Sequence, residues 1–334
     1  MAADDHPGGF FTRHPANPVL TADDFPKMVN TAFNPGVARF EGQTLLLVRV
    51  EDRTGLSRLV VARSDDGFGD WTIEFDRGMT PRTDRFEEHW GIEDPRITQV
   101  GDEYLITYTG FSLGGPLVCL ASTRDFVRFE RRGVLMPPED KDAAVFPTTF
   151  SGRWALLHRP APAMVGLGAH IWLSFSPDLR HWGDGRILIP ARRGGWWDAN
   201  KVGLGPPPLL TDRGWLVCYH AVKTTVAGAV YRLGLALLAR EDPTLVLARG
   251  SEWVFGPSAP YELAGDVPGV VFPCGWLLDD DGDTLRLYYG AGDTCVAVAS
   301  CSLEALLDHL ASHPCPPEQT APLTTAPPAP MLRS

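Results

Sequence analysis

Short apolar runs, each preceded by a polar turn, recur along the chain: TLLLVRV from residue 44, YLITYTG from 104, WALLHRP from 154, WLVCYHA from 215 and LRLYYGA from 285. Each has the length and composition of a β-strand, and the turns in front of them (FEGQ, VGDE, FSGR, TDRG, DDGD) carry the Gly and Asp chemistry of tight hairpins. The runs therefore read as second strands of hairpins. The segments before the turns, FNPGVARF, IEDPRITQV, VFPTTF, GLGPPPLL and VVFPCGWLL, each contain proline. Proline has no backbone donor and is tolerated at strand starts and edges, so the five prolines predict five equivalent innermost strands. A third set follows downstream: LVVARSDDGFGDW, LVCLASTRDFVRF, IWLSFSPDLRHW, LGLALLAREDPTLV and VAVASCSLEALL, strands that run into acidic or polar turns.

The repeat is about 60 residues, enough for a four-stranded blade with generous loops. Five copies predict an all-β, five-bladed β-propeller over residues 1–312. A sandwich would not explain why prolines and third strands recur in the same order. The clearest helix is SLEALLDHLA, where Leu303, Leu306, Leu307 and Leu310 fall on one face. Residues 313–334 are rich in Pro, Ala and Thr and read as a tail.

Composition narrows the function classes. Apolar residues make up 44% of the 334-residue chain and charged residues 21%, ordinary for a globular protein with a substantial core. The net charge of -11 and the absence of a long basic run argue against nucleic acid or an anionic membrane surface as partner. The longest apolar stretch, residues 269–278, is broken by Pro273 and is too short to span a bilayer. The acidic start, MAADDHPGGF, is unlike a signal peptide, so the expected location is cytoplasmic. The six cysteines lack paired spacing, so reduced core thiols are expected rather than a zinc site or a disulfide framework. No ligand spacing marks a metal site, and His158, His170 and His181 read as ordinary strand or surface histidines.

In a propeller the first residues of each innermost strand and the end of the next strand face one shared pocket. The residues before the five prolines are Asn34, Asp94, Phe146, the 205–207 stretch and Phe272; the second strands end in Arg49, Thr109, Arg159, His220 and Gly290. Charged groups at the ends of otherwise apolar strands are costly to bury unless paired or used. Asp94 as a turn acceptor and Arg49 or Arg159 as inter-blade ion pairs remain open alternatives. The convergence of a carboxylate, several cations and aromatics fits a polar, partly anionic ligand. Lys141, Arg159, Lys201 and His220 would suit an inorganic anion such as phosphate. No Gly-rich nucleotide loop is present. The loop tryptophans Trp90, Trp196 and Trp197 are expected to pack rather than to bind.

FNPGVARF with LLLVRVED, GIEDPRIT with YLITYT, KDAAVFP with WALLHRP, WDANKVGLGPPPLL with GWLVCYH, YRLGLALL, and VFPCG with YYGAGDT together resemble glycoside hydrolase family 130, the β-mannoside phosphorylases and related β-mannosidases. The ordered match runs from about Asn34 to about Ala299. The resemblance implies a five-bladed propeller and inverting phosphorolysis of β-mannosides to α-mannose 1-phosphate. It makes Asp94 the general acid, acting directly or through a hydroxyl of the mannosyl ring. It places Asn34, Arg49, Glu93, Phe272 and Asp293 at the sugar, and Lys141, Arg159, Lys201, His220 and Tyr231 at phosphate. Lys141, where some members have arginine, and Ala221, where a glycine is common, depart from the family pattern. Inorganic phosphate would be co-substrate and a manno-oligosaccharide the partner, with no cofactor; self-association into a homo-oligomer is compatible with the sequence. Two other readings stand beside it: an inverting β-mannosidase using Glu93, Asp198 or Glu262 as base, and a noncatalytic carbohydrate-binding propeller. The acceptor subsite is expected in loops 77–90 and 160–168.

Overall fold

The computed structural model describes residues 9–161, 168–226 and 228–315. The chain begins with β1 (Thr12–Arg13). The first blade is β2 (Thr31–Phe40), β3 (Gln43–Glu51), β4 (Ser57–Ser64) and β5 (Thr72–Met79); the second is β6 (Ile92–Val100), β7 (Glu103–Ser112), β8 (Gly115–Thr123) and β9 (Glu130–Met136). The third is β10 (Asp140–Phe150), β11 (Arg153–Pro160), β12 (Ile171–Ser176) and β13 (Gly183–Ile189). The fourth is β14 (Lys201–Leu204), β15 (Leu209–Thr211), β16 (Gly214–Thr225), β17 (Gly228–Leu238) and β18 (Val246–Arg249). A short α1 (Pro260–Leu263) leads into β19 (Val271–Leu278), β20 (Thr284–Ala291) and β21 (Cys295–Ser302), and α2 (Leu303–Ser312) follows. The five antiparallel sheets are the five blades of a β-propeller.

Each hairpin predicted from a polar turn before an apolar run is present, because the alternation buries one face of every sheet against each neighbour. The apolar residues fall into five clusters, each shared by two adjacent blades. Leu45, Leu47, Ile106 and Cys119 fill the space between blades one and two, and Leu157, Leu173, Val217 and Tyr219 that between three and four. The helix read from the leucine spacing is α2: Leu303, Leu306, Leu307 and Leu310 join the cluster of blades four and five. Its first turn is capped by Ser302, whose Oγ accepts from the Ala305 N–H at 3.1 Å.

The ring closes at blade five, whose outer edge is β1: Thr12 pairs with Ser300 and Arg13 with Ala299. This strand from the other end of the chain was not anticipated, since two residues carry no periodicity. Arg13 donates to both Glu262 oxygens at 2.7 and 2.8 Å, and Glu262 also accepts from Tyr289 Oη and the Ser258 and Ala259 amides. Pro314 and Cys315, placed in the tail by composition, bridge back to Gly250 and Arg249. The rest of the expected tail, 316–334, lies outside the described residues.

The five prolines are not equivalent, which corrects the sequence reading. Pro35 and Pro95 sit in matching bulges of β2 and β6. Pro147 lies deeper in β10, in a second irregularity between Val145 and Thr149, past the bulge at residues 142–143. Prolines 206–208 instead split the inner strand of blade four into β14 and β15, because three residues without N–H groups cannot continue a ladder. Phe146 accordingly does not line the channel; it is fully buried, edge-on to Phe150 and Trp215 with ring centroids 5.2 Å apart.

Closing the ring through a buried carboxylate gives a direct test. Arg13→Ala leaves Glu262, wholly buried, without its cation. It should cost on the order of 2 kcal/mol, since the amides and Tyr289 still solvate the charge. The measurement is the urea unfolding midpoint.

Candidate active site

Three inner strands carry a bulge that aims a short polar side chain into the channel. Asn34, Asp94 and Asp142 occupy these bulges with φ of 45°, 51° and 53°. Asn and Asp are the side chains that best tolerate this left-handed conformation, and a bulge re-aims the residue it holds. The shared pattern is Asx, then Pro or Ala, one residue, then Val or Ile: Asn34 to Val37, Asp94 to Ile97, Asp142 to Val145. Asp142 was missed because the proline, rather than the Asx, was used to align the strands.

Asp94 anchors one half of the site. Its Oδ1 accepts from Asn34 Nδ2 at 2.8 Å and from Arg49 Nη1 at 3.0 Å. Arg49 Nη2 reaches Glu93 Oε1 at 3.1 Å, its Nε donates to Ser57 Oγ at 3.0 Å, and the guanidinium lies 4.5 Å over the Phe33 ring. Burial pushes the Asp94 carboxyl up, but Arg49 and Lys141 outweigh it and hold the group below the ordinary carboxylate range. Burial dominates at Glu93, whose carboxyl is raised. Asp293, in the β20–β21 turn, is raised to about 6 by burial and by repulsion from Asp94. Asn34 is held close against β20: a Cβ on Gly290 would lie 1.9 Å from Asn34 Oδ1.

Asp142 anchors the other half. Its Oδ2 accepts from Arg159 Nε at 2.7 Å and lies 3.5 Å from His220 Nε2, and its Oδ1 accepts from Arg96 Nη2 at 3.4 Å. Burial would raise this carboxyl, but the charges of Arg159, Arg96 and Lys141 hold it far below the usual range. Arg96 also donates to the carbonyls of Asp94, Leu204 and Gly205, tying blade two to blade four. His220 is pushed down to about 3, chiefly by burial, so the ring is neutral, and it packs on Phe272 at 4.6 Å. Lys201 lies 5.8 Å from the Tyr231 ring and is lowered to about 8 by burial and by Arg159. Burial and the field of Asp293 raise the Tyr231 hydroxyl.

Lys141, paired with Arg159 across β10 and β11, acts on Asp94 and Asp142 alike and so joins the halves. Among the described residues, neither Lys141 nor Lys201 has a carboxylate within ion-pair distance. His220 Nδ1 and Asn34 Oδ1 are buried with no hydrogen-bond partner among the described residues. Lys141, Arg159 and Lys201 beside one strongly ionised aspartate leave a local positive excess in an acidic protein, chemistry suited to an anion.

A sequence profile described as beta-1,4-mannooligosaccharide phosphorylase, of glycoside hydrolase family 130, matches residues 12–312. The chain belongs to family 130. It is 31% identical to the beta-1,4-mannooligosaccharide phosphorylase of Ruminococcus albus, with 90% of this chain and 91% of the relative covered. It is 33% identical to the beta-1,2-mannobiose phosphorylase of Listeria innocua, covering 89% and 98%. A solved structure of the Listeria innocua enzyme with beta-1,2-mannobiose superimposes with a TM-score of 0.83 at 32% identity, over 91% of this chain and 99% of that one.

The eleven residues that the family resemblance singled out come from all five blades, and contacts or fields link them into the two halves described above. The other expectations divide. Asp198 is fully buried between Arg192 Nε at 2.5 Å and Arg249 Nη2 at 2.8 Å, and Glu262 is bound in the ring closure, so neither is free to act as a base in this family 130 chain. His158 is fixed by Asp140 and Ser174 at 2.6 and 2.9 Å, a structural role as expected. Trp197 stacks on Tyr219 and Trp196 lies under Arg192, both packing residues. Trp90 differs from expectation, with 50% of its surface exposed. Of the acceptor loops, 162–167 lies outside the described residues.

Gly203 leaves the room that Asp142 and His220 occupy, since a Cβ there would lie 2.6 Å from Asp142 Oδ2 and 2.5 Å from His220 Cε1. Gly203→Ala should therefore displace the imidazole and cost about 1–3 kcal/mol of stability. Equilibrium denaturation reads the cost, and a crystal structure of the variant reads the shift.

Proposed function

We propose that this protein is an inverting β-mannoside phosphorylase, which cleaves β-linked manno-oligosaccharides with inorganic phosphate to release α-mannose 1-phosphate. The observation that carries the reading is the cationic wall of Lys141, Arg159, Lys201 and the neutral His220, with two ammonium groups that have no carboxylate partner among the described residues. An inverting hydrolase needs a carboxylate on that side to activate water, about 6.5–9.5 Å from the acid. Here the one carboxylate among the cations, Asp142, is already engaged by arginine, and Glu93 is engaged by Arg49. Phosphate is itself a nucleophile and needs cations instead of a base.

In the proposed reaction phosphate attacks the anomeric carbon from the wall of blades three and four. The glycosidic C–O bond breaks, a C–O–P bond forms, and Asp94 gives its proton to the departing oxygen. That proton is the one hydrogen phosphate brings, passed to the carboxyl as phosphate binds, so the carboxyl ends ionised as it began. Asp94 is ionised in the empty site, but an anion beside Lys141 offsets that cation's pull on it and raises the carboxyl's hold on a proton. Asn34 and Arg49 orient the carboxyl through its Oδ1, leaving Oδ2 for the substrate.

One observation favours a second assignment of the acid. Asp293, raised to about 6, is nearer the range suited to proton donation than Asp94 is. Asp94→Asn should lower kcat by about 10³-fold with the far-ultraviolet circular dichroism unchanged, whereas Asp293→Asn should act mainly on KM for the mannoside. The reverse pattern would move the acid to Asp293. The assay is incubation with β-1,2- and β-1,4-linked mannobiose, with and without phosphate, followed by detection of mannose 1-phosphate. Mannose released without phosphate would overturn the phosphorylase.

Lys201 sets the alkaline limit. It carries its charge below about pH 8 and loses it above, so kcat/KM for phosphate should fall as pH rises through about 8. Lys201→Met should remove this limb and raise KM for phosphate by roughly tenfold or more, as expected for loss of a charge-assisted contact. The cysteines in the described residues are unpaired, which supports a reducing, cytoplasmic setting.

A further inference from the structure

If phosphate attacks from the wall of blades three and four, the leaving group departs on the opposite side, toward blades one and two. The rim there is built from the loop between β5 and β6 and from the β7–β8 turn. It exposes apolar side chains that pack on no core: Trp90 at 50%, Phe86 at 54% and Leu113 at 80% exposure. The Trp90 and Phe111 rings lie 6.0 Å apart and tilted by 39°.

This rim is held in place at some cost. The Trp90 N–H donates to the Phe111 carbonyl at 2.8 Å, and the Phe111 N–H to the Gly91 carbonyl at 3.0 Å. Glu88, fully buried, accepts from Tyr108 Oη at 2.8 Å, Arg131 Nε at 2.7 Å and the Arg82 amide at 2.8 Å, and Arg131 also binds the Thr80 carbonyl. Burying a carboxylate to fix a loop that then presents an indole to solvent has no packing return. The loop is also joined to the site: Gly91 bridges to Ser57, which receives the Arg49 Nε hydrogen bond. Three residues separate Trp90 from Asp94, four backbone steps that span at most ~14 Å. That bound keeps Trp90 within reach of a chain extending from the sugar whose bond is broken.

We propose that the Trp90–Phe111 rim of blade two is an acceptor-side subsite, which takes the second and later sugars of a β-mannan chain by stacking their C–H faces on the exposed Trp90 indole. The proposal rests on the phosphorylase reading, because the direction of the leaving group comes from it. It makes the enzyme one that prefers oligosaccharides to the disaccharide.

Calorimetric titration without phosphate tests it, using the bi- and tetrasaccharides of both β-1,2- and β-1,4-linked mannose with the full chain, Trp90→Ala and Trp90→Tyr. Trp90→Ala should weaken tetrasaccharide binding about tenfold more than disaccharide binding, and Trp90→Tyr should restore most of the difference. An unchanged ratio of the two affinities overturns the subsite and leaves the phosphorylase standing. Release of mannose in these phosphate-free titrations, or no binding of any mannoside by the unaltered chain, overturns both. Sedimentation on the same samples covers the competing occupant: if Trp90→Ala dissociates an oligomer while the ratio holds, the rim is a contact between copies of this chain.

Discussion

The Asp142 carboxylate is the charge around which the channel is organised. It is removed from water, and such a charge is tolerated only where cations and donors replace its hydration. Arg96 from blade two, Arg159 from blade three and His220 from blade four supply them. Because those groups come from three sheets, solvating one carboxylate also fixes the relative positions of three blades. Arg96 extends the tie, since its remaining donors meet carbonyls on either side of the channel, at Asp94 and at Leu204 and Gly205. The apolar clusters hold blades together only in adjacent pairs; this network crosses the hole that they surround.

The site follows from having two such cells instead of one. Asp94 with Asn34 and Arg49 faces Asp142 with Arg159 and His220, and Lys141 acts on both. In each cell the aspartate sits on a left-handed bulge, the same backbone device in consecutive blades. Their surroundings then separate their roles. Asp142 is consumed by cations and serves to orient them. Asp94 keeps one oxygen free of protein donors among the described residues, and so can meet a substrate.

Much of this was legible in the chain, for physical reasons. Strand and turn alternation is local, so hairpins repeated five times announced the blades, and the leucines of α2 announced its buried face. Closure by Thr12 and Arg13 was not legible, because it depends on pairing across almost the whole chain. The prolines misled: a residue without an N–H marks a break in a ladder, but it does not say which strand position is broken, so Pro147 and Pro95 were equated although they lie at different depths. Aligning on Asn34, Asp94 and Asp142 instead would have found the missing carboxylate, since the left-handed bulge constrains residue type more tightly than the proline does. Lys141, Arg159, Lys201 and His220 were legible as an anion-suited set from residue type and repeat position, and the family resemblance picked out the same four, but the fields that link them depend on burial that no local pattern reports.

The depressed Asp94 carboxyl looks at first like an argument against an acid, and the geometry turns it into one about order of events. A carboxyl that was protonated in the open site would sit unpaired with Arg49 and lose the orientation that Asn34 and Arg49 give it. Ionised, it is held in place until the second substrate arrives. An anion entering beside Lys141 adds negative charge near Asp94 and spends the ammonium that was holding the proton off, so both effects move the carboxyl toward protonation. Asp293, close enough for Asp94 to repel it and already raised to about 6, is a carboxyl that holds a proton part of the time near neutrality. On the proposed assignment the site couples its two substrates through charge alone: the cation proposed to receive phosphate is the one whose neutralisation would ready the acid, and no moving part is required.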